Sequence, residues 1–387
     1  MEGLKKRVAD LFPQMVEWRR DFHQHPELSF QEQQTQRKLI DFMESCGLEV
    51  KTGWGGYGVT GLLRGAAPGP TIALRADMDA LPIQDEKTVS YRSQVTGVMH
   101  ACGHDGHMTM LMGAARLLTE MRDRLAGNVL FLFQHAEELL PGGSRQMIEA
   151  GVLEGVDAIF GIHLWTPHPV GTISLCSGEL MAAADSFEVE IIGKGGHGGL
   201  PHEATDAVVI AAHVITHLQT IISRQVDPLD SGVISVGAIE GGNAFNVIAE
   251  RCRMKGTVRS FNKGVREALA KRVEEVVRHT CHMFGADYRF QYGWGYPPLI
   301  NHEKETQQLI EVARQVGTVQ EMKPIMGGED FAYYLEQIPG AFCFVGAGNP
   351  DKGITAPHHH PRFDIDEEAL KVGTELFVRL IAERLGR

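Results

Sequence analysis

The sequence has few of the features that mark nucleic-acid-binding, membrane or secreted proteins. Acidic residues outnumber basic ones by 49 to 37, and no stripe or run of Lys and Arg is present, which argues against a nucleic-acid partner. No uninterrupted apolar run approaches the roughly 20 residues that a membrane span needs. The charged N-terminal segment lacks the apolar core of a signal peptide. These absences predict a cytoplasmic protein that binds neither nucleic acid nor membrane.

Disulfide bonds are not expected either. The six cysteines are scattered along 387 residues, which is typical of reduced thiols rather than of a disulfide framework. Internal repeats and low-complexity tracts are also lacking. What remains is a chain too long for one ordinary core, since chains beyond roughly 250–300 residues usually divide into domains.

The apolar pattern predicts an α/β fold. Short apolar runs alternate with longer amphipathic ones. Continuous apolar runs favour strands of a sheet that is covered on both faces, and four occur, at residues 71–75, 129–133, 157–163 and 341–345. Apolar residues recur at helical spacing between Met108 and Leu125, which predicts a helix there. An earlier helix is expected to start near Pro13, because proline is tolerated in the first turn.

The pattern changes after about residue 180. Alternating runs at 187–192 and 286–291, further strands at 233–236 and 253–258, and helices at about 206–223 and 263–284 follow the order βαββαβ. This order predicts a ferredoxin-like α+β domain. The expected organisation is therefore an α/β catalytic domain, residues 1–180 and 294–387, that is interrupted by a smaller inserted domain, residues 181–293.

One segment concentrates side chains that bind metals. Residues 99–107 place Cys102 among His100, His104 and His107. Thiolate and imidazole ligands favour zinc and other borderline metals. Because the segment precedes a predicted helix, we expect a loop whose side chains can converge. The alternative is a polar loop with an incidental cysteine.

Further candidates follow the predicted strands. Glu137 and Glu138 come after the strand at 129–133, and His163 ends the next strand. Ligand sites in open α/β sheets lie beyond the carboxyl ends of strands. Adjacent carboxylates there suggest one metal ligand and one base for water. Alone, the pair could be a solvated acidic loop, and His163 a hydrogen-bonded core residue.

Two other segments carry candidate polar groups. Three consecutive histidines at 358–360 precede the final predicted helix, near Asp366, and at most two of them can face one centre. After the strand at 71–75, Asp79 could fix a metal-bound histidine. Asp77 is interpreted as structural.

The inserted domain carries its own polar candidates. His197 lies in a glycine-rich loop that lacks the Gly-Lys-Ser/Thr ending of a Walker loop, which argues against nucleotide binding. Asn246 follows a second glycine-rich turn. Arg259 could hold a substrate carboxylate through two parallel hydrogen bonds, or be a solvated charge.

Five motifs in this order resemble one enzyme family. They are RADMDALP at 75–82, HACGHDGH at 100–107, QHAEE at 134–138, GIHL at 161–164 and HHPRF at 359–363. Together they resemble the co-catalytic metallo-aminoacylases and carboxypeptidases, in the branch of N-acyl-L-amino-acid amidohydrolases, hippurate hydrolases and plant auxin-conjugate hydrolases. The likeness starts at the segment 23–28 (HQHPEL) and runs nearly to the end of the chain.

The resemblance implies specific roles. It implies a metallopeptidase-like catalytic domain, with a mixed sheet flanked by helices, and an inserted lid domain that often dimerises. The implied metal ligands are Cys102, His104, Glu138, His163 and His359. Glu137 falls on the general base and Asp79 on the orienting acid. In the lid, His197 falls on a histidine that often completes a partner's site, and Asn246 and Arg259 on substrate contacts.

Two departures from the wider family bear on the site. Asp77-Met78-Asp79 stands where the wider family has His-x-Asp, which implies a thiolate site that binds one or two ions. His135 stands where the branch usually has proline, and a packing role is expected for it.

The resulting prediction is a metal-dependent amidohydrolase of N-acyl-L-amino acids, with zinc, manganese, cobalt or nickel as cofactor. A homodimer or tetramer through the lid is expected. The alternatives are a dipeptidase or carboxypeptidase, an N-acetyl-diaminopimelate deacetylase, and a non-catalytic metal-binding protein. The spare base at Glu137 argues against the last, because a purely structural site needs none.

Overall fold

The computed structural model describes residues 3–386, which form two compact units. The first unit contains the described residues up to Leu180, the segment Ile300–Lys323 and the described residues from Asp330 onward. The second unit contains Met181–Leu299 and Pro324–Glu329. The sequence predicts an inserted domain at 181–293, whereas the second unit continues to Leu299 and also includes Pro324–Glu329.

Most of the longer helices bury one apolar side, whereas the helix His104–Thr119 is buried on nearly all sides. The helices are α1 Leu4–Gln24, α2 Gln33–Ser45, α3 His104–Thr119, α4 Gly143–Glu149, α5 Ala207–Gln225, α6 Lys263–Met283, α7 Glu303–Ala313, α8 Ala332–Leu335 and α9 Glu368–Leu385. Short 3₁₀ turns lie at Arg122–Arg124, Pro201–Glu203 and Pro350–Lys352.

The strands of the first unit are β1 Glu49–Trp54, β2 Gly58–Arg64, β3 Ala67–Asp77, β4 Ala126–Gln134, β5 Ala158–Pro169, β6 Thr172–Leu175, β7 Gly178–Met181, β14 Leu299–Asn301, β15 Thr318–Glu321 and β16 Gly340–Gly348, of which β7 and β14 reach the boundary with the second unit. The strands of the second unit are β8 Ala183–Ile192, β9 Gly196–His197, β10 Gly232–Gly241, β11 Val247–Ile248, β12 Arg251–Ser260 and β13 Asp287–Gly293.

A mixed eight-stranded sheet forms the centre of the first unit, in the order β1-β2-β4-β3-β5-β16-β6-β15. The four central strands β4, β3, β5 and β16 run parallel. The pairs β1–β2, β2–β4 and β16–β6 are antiparallel, and the edge strand β15 is parallel to β6. Each of the four central strands contains one of the apolar runs that the sequence identified. The predicted α/β class, a mixed sheet flanked by helices, is therefore confirmed.

Strand β5 extends beyond its predicted end. The sequence ended this strand at His163, but β5 continues to Pro169. Pairing with β3 stops at Gly161, while pairing with β16 carries on past His163, which lies opposite Phe344. His163 therefore sits where the sheet continues on one side of the strand only.

Helix α1 also differs from its prediction, because it begins at Leu4 and contains Pro13 in its interior. A proline inside a helix removes one hydrogen bond and costs about 3 kcal/mol or more. Buried side chains on both sides of the proline, including Val8, Met15 and Phe22, offset that cost by packing on α3 and α9.

The start of α3 corrects another expectation. The sequence placed residues 99–107 in a loop, but the helix begins at His104 and includes His107. Gly103 precedes it with φ 98°, a left-handed conformation that glycine adopts without strain. Asp105 lies in the first turn, where a negative charge interacts favourably with the helix dipole. The predicted helical spacing also included Leu125, which lies beyond the end of the helix at Thr119.

The second unit has a four-stranded antiparallel sheet in the order β10-β12-β8-β13. This order and the helices α5 and α6 between the strands give the βαββαβ arrangement. Buried residues of both helices pack with Phe187, Val189 and Ile191 of β8 in one apolar cluster.

Helix α5 is long and apolar enough to cross a membrane, judged by length and composition alone. Asp206 caps its first turn by accepting hydrogen bonds from the N–H groups of Val208 and Val209. Its buried residues, including Ile210, Val214 and Leu218, belong to the cluster with β8. It has the packing of a core helix on a sheet.

Candidate metal centre

A thiol and two imidazoles meet at the carboxyl ends of the parallel strands in the first unit. One ligand atom each from Cys102, His104 and His163 lies within 4.8 Å of the other two. Cys102 Sγ is 3.4 Å from His163 Nε2, and all three residues are buried. The chain positions them by the turn before α3, by the first turn of α3 and by β5.

A second group of ligand atoms shares the same thiol. Cys102, Glu138 and His359 also place one ligand atom each within 4.8 Å of one another. Glu138 Oε1 lies 3.2 Å from His359 Nε2 and 3.9 Å from His104 Nε2. The structure thus brings the five predicted ligands together around Cys102.

The rings of His104 and His163 are oriented so that each Nε2 atom is available to bind a metal. His104 Nδ1 lies 2.9 Å from the carbonyl oxygen of Asp79, and His163 Nδ1 lies 2.6 Å from that of Leu164. A carbonyl oxygen can only accept a hydrogen bond, so each Nδ1 carries the hydrogen and each Nε2 presents its lone pair to the centre. Within the described residues, the buried Nε2 of His104 has no hydrogen-bond partner. A divalent cation would satisfy it.

The surrounding carboxylates favour a positive charge at the position of the His104 ring. Burial lowers the pKa of His104, but Asp77, Asp79 and Glu138 outweigh burial and raise it to about 10. The same carboxylates would stabilise a divalent cation bound at the imidazole. Burial and the nearby Glu138 and Glu137 raise the pKa of the Cys102 thiol. A metal that binds here displaces protons from both groups.

His107 is excluded as a ligand by its own hydrogen bonds. Its Nδ1 lies 2.6 Å from Asp77 Oδ1, and its Nε2 accepts the N–H of Leu164 at 2.8 Å. Asp77 also accepts a hydrogen bond from Arg75 at 2.7 Å. These contacts use both nitrogens of His107 and tie Asp77 into the sheet end, in keeping with a structural Asp77.

Asp79 contacts two of the residues that form the centre. Its Oδ1 lies 3.2 Å from His104 Nδ1, and its Oδ2 accepts hydrogen bonds from the N–H of Glu138 at 2.9 Å and from Ser29 Oγ at 2.7 Å. Although burial raises it, the pKa of Asp79 lies below its usual value because His104, Glu138 and Ser29 stabilise the anion. An ionised Asp79 therefore fixes both an imidazole and the Glu138 backbone.

Glu137 lies beside the ligand groups. Its Oε2 is 4.0 Å from His104 Nε2, and the residue is buried. The residue before it, Ala136, has φ 50°, which is unusual for a residue other than glycine. The turn after β4 therefore holds two carboxylates at the centre through a left-handed backbone at Ala136.

The three consecutive histidines take different directions. His359 faces Glu138, and its own N–H donates to Ala101 O at 2.8 Å. The ring of His358 stacks on Trp165, with centroids 4.6 Å apart. His360 Nδ1 accepts a hydrogen bond from the N–H of Arg362. Only His359 reaches the carboxylate pair by a short contact.

The remaining predicted residues lie in the second unit. His197 on β9 pairs with Val247, so its loop lies beside Asn246, whose carbonyl oxygen accepts the Gly198 N–H. Arg259 on β12 is half-buried and donates to the carbonyl oxygens of Asp185 and Val258. Among residues 3–386 it forms no ion pair, which leaves its charge for an anion. It does not belong to the His197 loop.

His135 packs as expected for a residue outside the ligand groups. Its Nε2 lies 3.1 Å from Gln146 Oε1, and its ring contacts Phe30 edge-on. Burial lowers its pKa.

Several residues that support the centre were not predicted from the sequence. Glu32 accepts a hydrogen bond from the N–H of Ala136, and Arg19 and His23 bind Asp105, the neighbour of His104. His23 appeared only within the family-like segment 23–28. Nothing marked Glu32, because an acidic residue just before a helix normally indicates only a helix start.

The sequence model of one protein family, described as peptidase family M20/M25/M40, matches residues 73–383. Among individual proteins, an N-acyl-L-amino acid amidohydrolase of Geobacillus stearothermophilus is 46% identical over 308 residues, covering 78% of this chain and 82% of that protein. Thermostable carboxypeptidase 1 of Saccharolobus solfataricus is 38% identical over 376 residues, covering 96% of each chain.

A solved structure is also similar throughout. The YXEP protein of Bacillus subtilis, described as a dinuclear metal-binding peptidase, superposes with a TM-score of 0.85 at 37% identity. The match covers 97% of this chain and 98% of that one.

Proposed function

Because the chain belongs to the peptidase family M20/M25/M40 and is a hydrolase of amide bonds, we propose that it cleaves N-acyl-L-amino acids to a carboxylate and a free amino acid. The N-acyl-L-amino acid amidohydrolase at 46% identity supports this substrate class. The proposed metal ligands are Cys102, His104, Glu138, His163 and His359.

One observation carries the proposal. Two groups of three ligand atoms share the Cys102 thiol, and a further carboxylate, Glu137, stands next to them. A closed structural site has no need of a spare base. The sharing of one thiol also supports a centre of two ions, as in the related dinuclear peptidase. Zinc, manganese, cobalt and nickel are all compatible with mixed N, O and S ligands.

A divalent metal in this place supplies a lowered pKa for water and polarisation of a carbonyl group. The protein's own groups do the rest. The Glu137 carboxylate takes a proton from water and returns it to the leaving amine. Asp79 holds His104 and the Glu138 backbone, so that ligand and base keep a fixed relation.

Residues of the second unit are proposed to recognise the substrate. His197 would stabilise the developing oxyanion, in its own or in a partner's site. Asn246 and Arg259 would hold the free α-carboxylate of the amino-acid half. The unpaired charge of Arg259 among the described residues supports this role, because a guanidinium binds a carboxylate through parallel hydrogen bonds.

The first test is hydrolysis of N-acetyl-L-methionine by chelator-treated protein, before and after addition of Zn²⁺, Mn²⁺ or Co²⁺. Activity that returns only with metal supports the proposal. No turnover with any of these metals, despite measured binding, would contradict the proposed substrate class.

Variants separate the roles of neighbouring residues. Glu137→Gln is expected to retain metal and lose most turnover, at least about 100-fold in kcat, because general-base catalysis contributes that much. His359→Asn should lose metal. The matched control is His360→Asn, since His360 is engaged by Arg362 and should not affect metal content. Equal metal loss in both histidine variants would remove His359 from the ligand set.

A second candidate is a carboxypeptidase or dipeptidase. The 38% identity to a protein named thermostable carboxypeptidase favours it. Comparing kcat/KM for N-acetyl-amino acids and for dipeptides with the same C-terminal residue distinguishes the two. A preference for dipeptides would replace the aminoacylase assignment.

We also propose a cytoplasmic homo-oligomer that assembles through the second unit. Strand β10 is an edge strand of its sheet, and its Ile239 is half-exposed. In the loop after β10, Phe245 is fully exposed. Light scattering on the purified chain tests the assembly, and a monomer at micromolar concentration would contradict it.

A further inference from the structure

The turn that carries Glu137 is held from outside by a residue with no assigned role. Glu32 is fully buried, and its Oε1 accepts the N–H of Ala136 at 2.7 Å. The carbonyl oxygen of Ala136 accepts the N–H of Gly143 at 2.9 Å. Both peptide groups of Ala136 are therefore fixed on the two sides of the left-handed residue.

The left-handed conformation needs such support. Ala136 has φ 50°, a region in which the Cβ atom crowds the backbone of any residue other than glycine. Conformations of this kind persist only where the surroundings determine them, and they concentrate at functional sites. Because Glu137 follows directly, the dihedral angles at Ala136 set the direction in which the Glu137 side chain leaves the chain.

Glu32 does not perform the local task that its position suggests. It precedes helix α2 as the N-cap residue, yet its side chain caps no N–H group of that helix. The carboxylate of Glu27 takes that role instead and accepts the N–H groups of Gln34 and Thr35. Glu32 reaches to a residue 104 positions away.

We propose that Glu32 is a positioning residue for Glu137: its carboxyl group holds Ala136 in the left-handed conformation that directs the Glu137 carboxylate to the reacting water. The inference rests on the proposed function, in which Glu137 is the base. Glu32 and Asp79 then hold the same turn from two sides. The carboxyl group of Glu32 accepts the N–H of Ala136, and that of Asp79 accepts the N–H of Glu138.

The protonation state of Glu32 suggests a conservative replacement. Burial and the neighbouring Asp79 raise its pKa to about 8, so the neutral acid predominates at pH 7. Glutamine resembles the neutral acid in shape and keeps an oxygen for the Ala136 N–H. Leucine has no acceptor.

The test compares steady-state kinetics and metal content of the metal-loaded enzyme with an acyl-amino acid substrate. Glu32→Leu should lower kcat about 10- to 100-fold, because misplacing a catalytic group by about 1 Å costs that much. KM should stay within about twofold and metal content should be unchanged. Glu32→Gln should restore most of kcat. If Glu32→Leu does not fold, Glu32→Asp, with a shorter reach, should show a smaller loss of kcat and the same unchanged KM.

The matched control is Glu27→Leu, which removes the cap of α2 but no contact of the Glu137 turn. It should lower the thermal midpoint and leave kcat unchanged. A fall of kcat in Glu27→Leu as large as in Glu32→Leu would reduce Glu32 to an anchor for α2 and overturn the inference.

A double variant separates this inference from the assignment of the base. If Glu32 acts through Glu137, adding Glu32→Leu to Glu137→Gln should not lower the residual rate further. A further drop by the single-variant factor would show that Glu32 acts by another route. If Glu137→Gln alone keeps full turnover, the base assignment fails, and positioning by Glu32 fails with it. If Glu137→Gln is inactive while Glu32→Leu is fully active, only the positioning role is refuted.

Discussion

A buried arginine links two of the segments that carry proposed metal ligands. Arg19 of α1 donates to Asp105 Oδ2 and to Asp364 Oδ1, both at 2.8 Å, and its side chain is fully buried. Asp105 follows His104, and Asp364 lies a few residues after His359. The replacement Arg19→Met removes the guanidinium and keeps most of the side-chain length.

The expected cost follows from the burial of the charges. Removing one partner of a buried ion pair typically destabilises a protein by about 3–5 kcal/mol, because the other charge stays buried without compensation. For a unit of this size, each kcal/mol lowers the melting temperature by roughly 2–4 °C. Arg19→Met should therefore melt about 6–20 °C below the wild type.

Circular dichroism melts of the metal-free and metal-loaded protein measure the effect. The neighbouring Arg20→Met is the matched control. Arg20 pairs with Glu367 at 2.8 Å, but 42% of its side chain is exposed. Exposed pairs contribute about 0–1 kcal/mol. The reasoning is refuted if both variants melt within a few degrees of the wild type.

Three other predictions concern different parts of the chain. In Glu32, burial and Asp79 raise the pKa from 4.5 to about 8, so the folded state holds a proton that the unfolded state releases between these pH values. The free energy of unfolding of the wild type should fall relative to that of Glu32→Gln as pH rises from 4.5 to 8, by at most about 1.4 kcal/mol per pH unit. Urea denaturation of the metal-free proteins measures both free energies, and a difference between them that stays constant over this pH range would contradict the prediction. Cys102→Ser should weaken zinc binding more than about 100-fold, which exceeds the usual loss for a residue that only supports a ligand, and it should weaken manganese binding less. Competition with a chromophoric chelator measures both affinities. Equal losses for the two metals would argue against a thiolate ligand. In the second unit, Asp185 is buried and binds Arg266 through both carboxylate oxygens. Asp185→Asn should cost about 2–4 kcal/mol in urea unfolding, whereas Lys255→Gln, in an exposed pair, should cost under about 1 kcal/mol; similar costs for both would be the contrary result.

The sequence predicted the sheet better than the helix starts. Continuous apolar runs identified four parallel strands, since burial on both faces leaves a direct mark on composition. The predicted start of α1 is wrong because it rests on Pro13 as a first-turn residue, whereas packing on both sides of Pro13 offsets the cost of a proline inside the helix. The loop predicted at residues 99–107 rests on their position before a predicted helix, whereas Gly103 allows that helix to begin at His104.

The candidate site divides in the same way. Residue types and strand ends predicted a metal site among these segments, and the resemblance to the enzyme family implied the five side chains that lie together at Cys102. The hydrogen bonds that select a nitrogen of each imidazole could not be predicted, because they depend on carbonyl oxygens of Asp79 and Leu164. The role inferred for Glu32 depends on one backbone angle at Ala136. Such features arise from the path of the backbone rather than from the local sequence.

The place of β16 in the central sheet has a consequence for the order of folding. β16 lies between β5 and β6, yet it follows the whole of the second unit in the chain. Without β16, this strand order divides into two separate parts, β1 to β5 and β6 with β15. His359 follows β16 in the chain, so a growing chain has all five proposed ligands only after β16 has been made. A nascent chain can therefore complete the sheet of its second unit while the first unit still lacks an interior strand, and metal capture by the full ligand set becomes a late event of folding.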